Sequence, residues 1–299
     1  MRVLVTGITG LIGSAIGAHL LAEGHAVVSL SRRAAAHACT ESVRAQLGTE
    51  SFVEQVASSV PFCDCIVHAG ASLDMSVAAP SISLTNCLGT QQIVALAMRW
   101  GGVPIVNISS IGVIGIPCIL PITENHPAAP ATSYHASKLF GEHVMSVASN
   151  QGIPCVSLRV TSPIGPAMPA NRILPVFIRR ALDGQPIELA GQGTRRQDYV
   201  DVRDVASAVA VCLARPQVRG ILNTGSGRSI SNLDLAKLCV QVCDSRSEIR
   251  FSGTPDPEES LAWDISIDRA REMIDYSPLY ALEDSARAIM DACARRHSQ

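Results

Sequence analysis

Apolar residues in this chain come in short unbroken runs. Each run meets a turn signal and then a longer stretch in which apolar positions recur every three or four residues. The first run is Arg2-Val-Leu-Val-Thr6; Gly7-Ile-Thr-Gly10-Leu-Ile-Gly13 follows, then a helical stretch to about Glu23, stopped by Gly24. Runs without polar alternation read as strands buried on both faces, as in a parallel sheet covered by helices. The same reading predicts strands at 26–30, near Val43, and at 64–68, 104–108, 154–160, 187–189 and 220–224. It predicts helices at about 50–59, 78–100, 133–150, 172–182, 202–214, 230–243 and 282–295. A Pro- and Gly-rich loop over 111–132 is long enough to be functional. The break at Gly165-Pro166 divides the chain into residues 1–165 and a smaller α/β substrate-binding unit over 166–299, with about 198–224 returning to the first sheet.

The glycine run changes this picture from architecture to chemistry. Strand, glycine turn and helix form the context in which a chain binds a dinucleotide: the backbone approaches a pyrophosphate, and the helix N-terminus offers free N–H groups. About twenty residues on, an NAD site carries a carboxylate for the ribose 2′-hydroxyl. Here the second strand ends in Ser31-Arg32-Arg33. A serine and two guanidiniums suit a 2′-phosphate, so NADP is expected over NAD.

Composition narrows the partners. With 47% hydrophobic and 17% charged residues among 299, the chain can bury a large core. A formal charge of −2 gives no electrostatic footprint for nucleic acid or an anionic membrane. No apolar run approaches the ~20 residues of a membrane span. A strand starting at Arg2 leaves no room for a signal peptide, so a cytoplasmic location is expected. The ten cysteines lack CxxC spacing and read as reduced thiols; the eight histidines form no HxxxH pair, and no metal is expected.

Tyr134 and Lys138 stand at i and i+4 in Ser133-Tyr-His-Ala-Ser-Lys138, which puts both on one helix face. A fixed ammonium favours phenolate, so the expectation is a lowered Tyr134 pKa and a tyrosine that exchanges a proton with a carbonyl or alcohol oxygen. Ser109 and Ser110 end a central strand, where ligands bind in such sheets.

These motifs resemble the extended short-chain dehydrogenase/reductase family, which includes nucleotide-sugar epimerases, dehydratases and reductases. The resemblance covers nearly the whole chain. It rests on Gly7/Gly10/Gly13, His68-Ala-Gly-Ala71, Asn86 with Gly89-Thr90, Ser109-Ser110, Tyr134 with Lys138, Arg159 with Gly165-Pro166, and Asp198-Tyr-Val-Asp-Val-Arg-Asp204. Asn223-Thr-Gly-Ser-Gly227 and Asp264 match later landmarks. It implies a Rossmann-type doubly wound sheet. It implies Tyr134 as the general acid/base, Lys138 lowering its pKa and binding the nicotinamide ribose, Ser110 holding the substrate oxygen, and Asn86 supporting a proton relay. It assigns cofactor contacts to Gly7, Thr9, Gly10, Leu11, Ile12, Gly13, Ser31, Arg32, Arg33, His68, Ala69, Gly70, Ser109, Tyr134, Lys138, Val160 and Ser162, and substrate contacts to Ser72, Ser110, Ile111, Arg172 and Arg196.

The departures from the family are informative. Dehydratases carry an acidic pair where this chain has Ile111 and Gly112, Val-Tyr-Gly is replaced by Val113-Ile114-Gly115, and Gln197 stands where an arginine grips a diphosphate. The resulting expectation is an NADP-dependent oxidoreductase interconverting a ketone or aldehyde and an alcohol, with nucleotide sugars among the candidate substrates, acting as a homodimer. The alternatives are a redox-neutral NAD-dependent 4-epimerase and a non-catalytic NADP sensor. Intact Ser110, Tyr134 and Lys138 argue against the sensor.

Overall fold

The computed structural model describes residues 1–32, 39–76 and 79–297. Arg33, expected at the cofactor, lies outside the described residues. In chain order, β1 (Arg2–Thr6), α1 (Leu11–Ala22), β2 (Ala26–Ser31), β3 (Glu41–Arg44), α2 (Phe52–Ser59) and β4 (Cys65–His68) precede a π-helical segment, Ile82–Leu88. That segment runs into α3 (Gly89–Arg99). Then come β5 (Ile105–Ser110), a 3-10 turn at Ile111–Ile114, α4 (Ser133–Asn150), β6 (Cys155–Val160), β7 (Ser162–Ile164) and α5 (Ile173–Leu182). The rest is β8 (Ile187–Leu189), β9 (Arg196–Asp201), α6 (Val202–Ala214), β10 (Gly220–Thr224), β11 (Ser229–Ser231), α7 (Asn232–Val242), β12 (Ile249–Phe251), α8 (Asp268–Ile274) and α9 (Leu282–His297).

The main sheet has seven strands in the order β10-β6-β5-β4-β1-β2-β3, every neighbouring pair parallel. The unbroken apolar runs are explained by its two covered faces. Val3, Val5 and Val67 face α1 and α6 in one core, while Leu4, Val28 and Ile66 face α2, α3 and α4 in the other. Strand order reverses between β1 and β4, and a ligand crevice opens at the carboxyl ends of strands flanking such a reversal. β10 joins this sheet beside β6, while β7, β9 and β11 form a separate three-stranded sheet and β8 pairs with β12. A third core, including Leu174, Ile178, Leu189, Leu235 and Ile289, holds the C-terminal elements together.

Two local readings are corrected. The helix expected over 78–100 begins as a π-helix, and Asn86 lies within it. Such wide turns often mark functional sites, because one side chain is displaced from the regular helical face. The fifth strand, expected over 104–108, runs from Ile105 through Ser110. β7 (Ser-Pro-Ile) and β11 (Ser-Ile-Ser) contain no run of apolar residues, so the pattern does not register them.

Candidate active site

The glycine turn is built by close backbone packing. Gly7 has φ of 69°, and a Cβ there would lie 2.6 Å from the Cα of Gly70, so the turns after β1 and β4 touch directly. A Cβ on Gly13 would come within 2.2 Å of the Gly7 carbonyl oxygen, so α1 starts hard against the turn. Gly10, the N-cap of α1, supplies no side-chain cap, and the first turn carries no acid. The leading N–H groups of α1 therefore face an anion site without a competing side chain. Thr9 is exposed and Leu11 and Ile12 are half-buried beside it. These residues fit the pyrophosphate of a dinucleotide.

His68 reaches this turn from the opposite side. It is 2% exposed, with Nδ1 2.9 Å from Thr6 Oγ1 and Nε2 3.1 Å from Thr90 Oγ1. Thr90 donates its own proton to the Asn86 carbonyl, and Thr6 Oγ1 accepts the Gly70 N–H. These partners make His68 a neutral ring donating from Nε2. Burial, reinforced by the Lys138 charge, pushes its pKa down to about 3. Its side chain is thus committed inside the protein, and only its backbone is left for a cofactor.

Asn86 is equally committed. Its Oδ1 accepts from Ser72 N, and its Nδ2 donates to the Ser72 carbonyl and to Ser137 Oγ. It joins the loop after β4 to the helix bearing Lys138, while the Ser72 hydroxyl donates to Ser81.

α4 presents Tyr134 and Lys138 at the carboxyl end of β5. Thr132 caps the helix by accepting the His135 N–H, which fixes its first turn. Lys138 is buried, donates from Nζ to the Ile108 carbonyl at 2.8 Å, and lies 5.9 Å from the centre of the half-buried Tyr134 ring. It lines a small enclosed space with His68, Asn86, Thr90 and Asn107. Burial pushes the Lys138 pKa down to about 8, opposed by Glu142 one turn along. Burial also pushes the Tyr134 phenol up to about 12. This is opposite to the expected direction: desolvation of the phenolate sets the shift, and at neutral pH Tyr134 is a protonated donor.

The two serines at the end of β5 have different environments. Ser109 is buried and donates to Glu142 Oε1 at 2.6 Å, and Glu142 is held by Arg159 in an ion pair whose side chains are almost wholly enclosed. Its hydroxyl is therefore engaged inside the protein. Ser110 Oγ accepts the Gly112 N–H at 3.2 Å and remains half-buried, with its own proton unpaired among the described residues. The chain missed by sequence reasoning is His135. Its ring stands edge-on to Tyr134, 5.2 Å between centres, with Nδ1 3.0 Å from Thr132 Oγ1. A Cβ on Gly112 would lie 2.4 Å from His135 Nε2, so the imidazole occupies the space a side chain at 112 would need.

Other expected contacts are corrected by burial. Ile111 is 4% exposed and packs in the core, so its side chain does not face a substrate. Val160 is also buried, leaving only backbone there, while Ser162 starts β7 half-buried. Arg196 donates to Ser229 from Nε and Nη2 and approaches Asp264 at 3.6 Å. Arg172 is exposed at the N-cap of α5, and the two arginines share no partner among the described residues.

Comparison with known proteins finds similarity to a family over most of the chain. The family model described as "NAD dependent epimerase/dehydratase family" matches residues 3–225. The UDP-glucose 4-epimerase of Mycolicibacterium smegmatis is 29% identical over 303 residues, covering 95% of this chain and 96% of that protein. The dTDP-glucose 4,6-dehydratase of Streptomyces niveus is 27% identical over 247 residues, covering 81% and 72%. Among solved structures, the UDP-glucose 4-epimerase of Thermus thermophilus in complex with NAD superposes with a TM-score of 0.84 at 26% identity, covering 98% of this chain and 99% of that one.

Proposed function

The chain belongs to the NAD dependent epimerase/dehydratase family of extended short-chain dehydrogenase/reductases and is an enzyme of that oxidoreductase type; from that premise we propose that it reduces a ketone or aldehyde with NADPH, or oxidises the matching alcohol. The observation that carries the proposal is the pairing of a protonated, half-buried Tyr134 with a buried Lys138 one turn away, with Ser110 at the end of β5 keeping a hydroxyl proton that has no partner among the described residues. A bound nicotinamide supplies or accepts the hydride. The residues of the chain do the remaining work. Ser110 holds the substrate oxygen, and Tyr134 gives it a proton as negative charge develops there. The Lys138 ammonium, fixed on the Ile108 carbonyl, stabilises the phenolate left behind.

The preference for NADP over NAD is supported by Ser31 and Arg32 at the end of β2, where no carboxylate stands. Titration calorimetry should find NADP+ binding at least about tenfold more tightly than NAD+, the margin of one charge-assisted phosphate contact. Equal affinities, or a preference for NAD+, would show the second strand to be misread. Nucleotide sugars are the first substrates to test, because the relatives are named for them. A second reading, a redox-neutral 4-epimerase, is favoured by the nearly end-to-end match to the mycobacterial epimerase. Lost side chains at Ile111 and Gly112 weigh against a 4,6-dehydratase.

A further inference from the structure

We infer that Arg44, at the end of β3, is a second cation for the adenosine 2′-phosphate and sets the choice of NADP over NAD; the inference rests on the NADP reading proposed above. β3 pairs with β2 in parallel, and the register puts Arg44 directly opposite Ser31. Arg44 reaches across the strand end. Its Nε donates to the Arg32 carbonyl at 3.2 Å, while Gln55 of α2 donates to the Arg44 carbonyl at 3.0 Å. These two bonds anchor the residue, and neither terminal NH2 group of the guanidinium has a hydrogen-bond partner among the described residues.

Arg32 and Arg44 line one open groove with Gln46, Thr49 and Gln55, and among the described residues no carboxylate lines it. Of the acids near the groove, Glu41 pairs with Arg2 and Glu54 with Arg99, while the exposed Glu50 is not part of the lining. Neither Arg32 nor Arg44 forms an ion pair among the described residues. Two cations facing one groove without a counter-charge repel each other, and a bound dianion turns that repulsion into attraction. The planar fork of Arg44 suits a phosphate bearing three acceptor oxygens, and its anchored Nε reduces the freedom lost on binding. The groove lies at the end of β2, where the ribose 2′ position of a dinucleotide stands in such sheets. A 2′-hydroxyl offers these cations no charge, so their effect falls on NADP alone.

The test is titration of NADP+ and of NAD+ into wild type, Arg44→Ala, Arg44→Gln and Arg44→Lys. The Ala and Gln variants should bind NADP+ roughly 10- to 100-fold more weakly, with NAD+ affinity held within about twofold. Arg44→Lys should fall between, keeping charge without the fork. Unchanged NAD+ affinity also reports an intact turn. Wild-type discrimination preserved in the Ala and Gln variants, or an equal loss for both cofactors, overturns the role of Arg44. A wild type without NADP preference overturns the underlying reading instead, and that is visible before any variant is measured.

Discussion

Replacing Tyr134 with phenylalanine should lower turnover by about 10²–10⁴-fold while cofactor affinity stays within about twofold. The ring is retained, so its edge contact with His135 and the cap at Thr132 survive. Only the hydroxyl is lost, and with it the group that protonates the substrate oxygen. The size of the effect follows from the site. Ser110 can hold the oxygen, but among the described residues of the site only Tyr134 combines a transferable proton with a buried ammonium to stabilise its conjugate base. Parallel cofactor titration and steady-state rates on the variant check both halves. Near-normal turnover would remove Tyr134 from the mechanism.

Lys138→Met should abolish turnover to a similar degree and yet raise the stability of the cofactor-free protein. The Lys138 pKa falls from 10.5 to about 8 on burial. Between those values the unfolded chain binds a proton that the folded chain does not, so stability rises with pH across this window. Below about 8 both states are protonated and the whole cost of burying the ammonium, about 3 kcal/mol, is present. Methionine removes that cost. It forfeits the bond to the Ile108 carbonyl, worth about 1 kcal/mol, for a net gain of about 2 kcal/mol at pH 7. Melting curves should therefore place the variant several degrees above wild type at pH 7, with the gap closing as pH rises from 8 toward 10.5. A variant less stable than wild type at pH 7 would mean that Lys138 is not the strained group described here.

The parts legible in the sequence are those whose cause is local. The strand, glycine turn and helix over residues 1–22 are specified by residues that touch within one supersecondary unit, and the i, i+4 placement of Tyr134 and Lys138 follows from helical geometry alone. What escaped depends on contacts across the fold. Gly70 is expected at the cofactor, but its backbone contact with Gly7 is visible only in the fold. His68 looked like a cofactor contact, but its ring is spent between Thr6 on β1 and Thr90 on α3. His135 beside a glycine at 112 has no signature until β5 and α4 come together. The sign of the Tyr134 shift was misjudged for the same reason: charge spacing is visible in a sequence, whereas desolvation is a property of everything packed around the ring.

The most direct test of the central claim follows the hydride. The protein is incubated with NADPH carrying deuterium at the transferable position of the nicotinamide and with a panel of 4-keto nucleotide sugars and simpler ketones. The account predicts that NADP+ accumulates in step with alcohol, that each alcohol carries one deuterium on the former carbonyl carbon, and that Tyr134→Phe suppresses both. Interconversion of UDP-glucose and its 4-epimer with tightly held cofactor and no net NADPH consumption would contradict it and establish the redox-neutral reading instead.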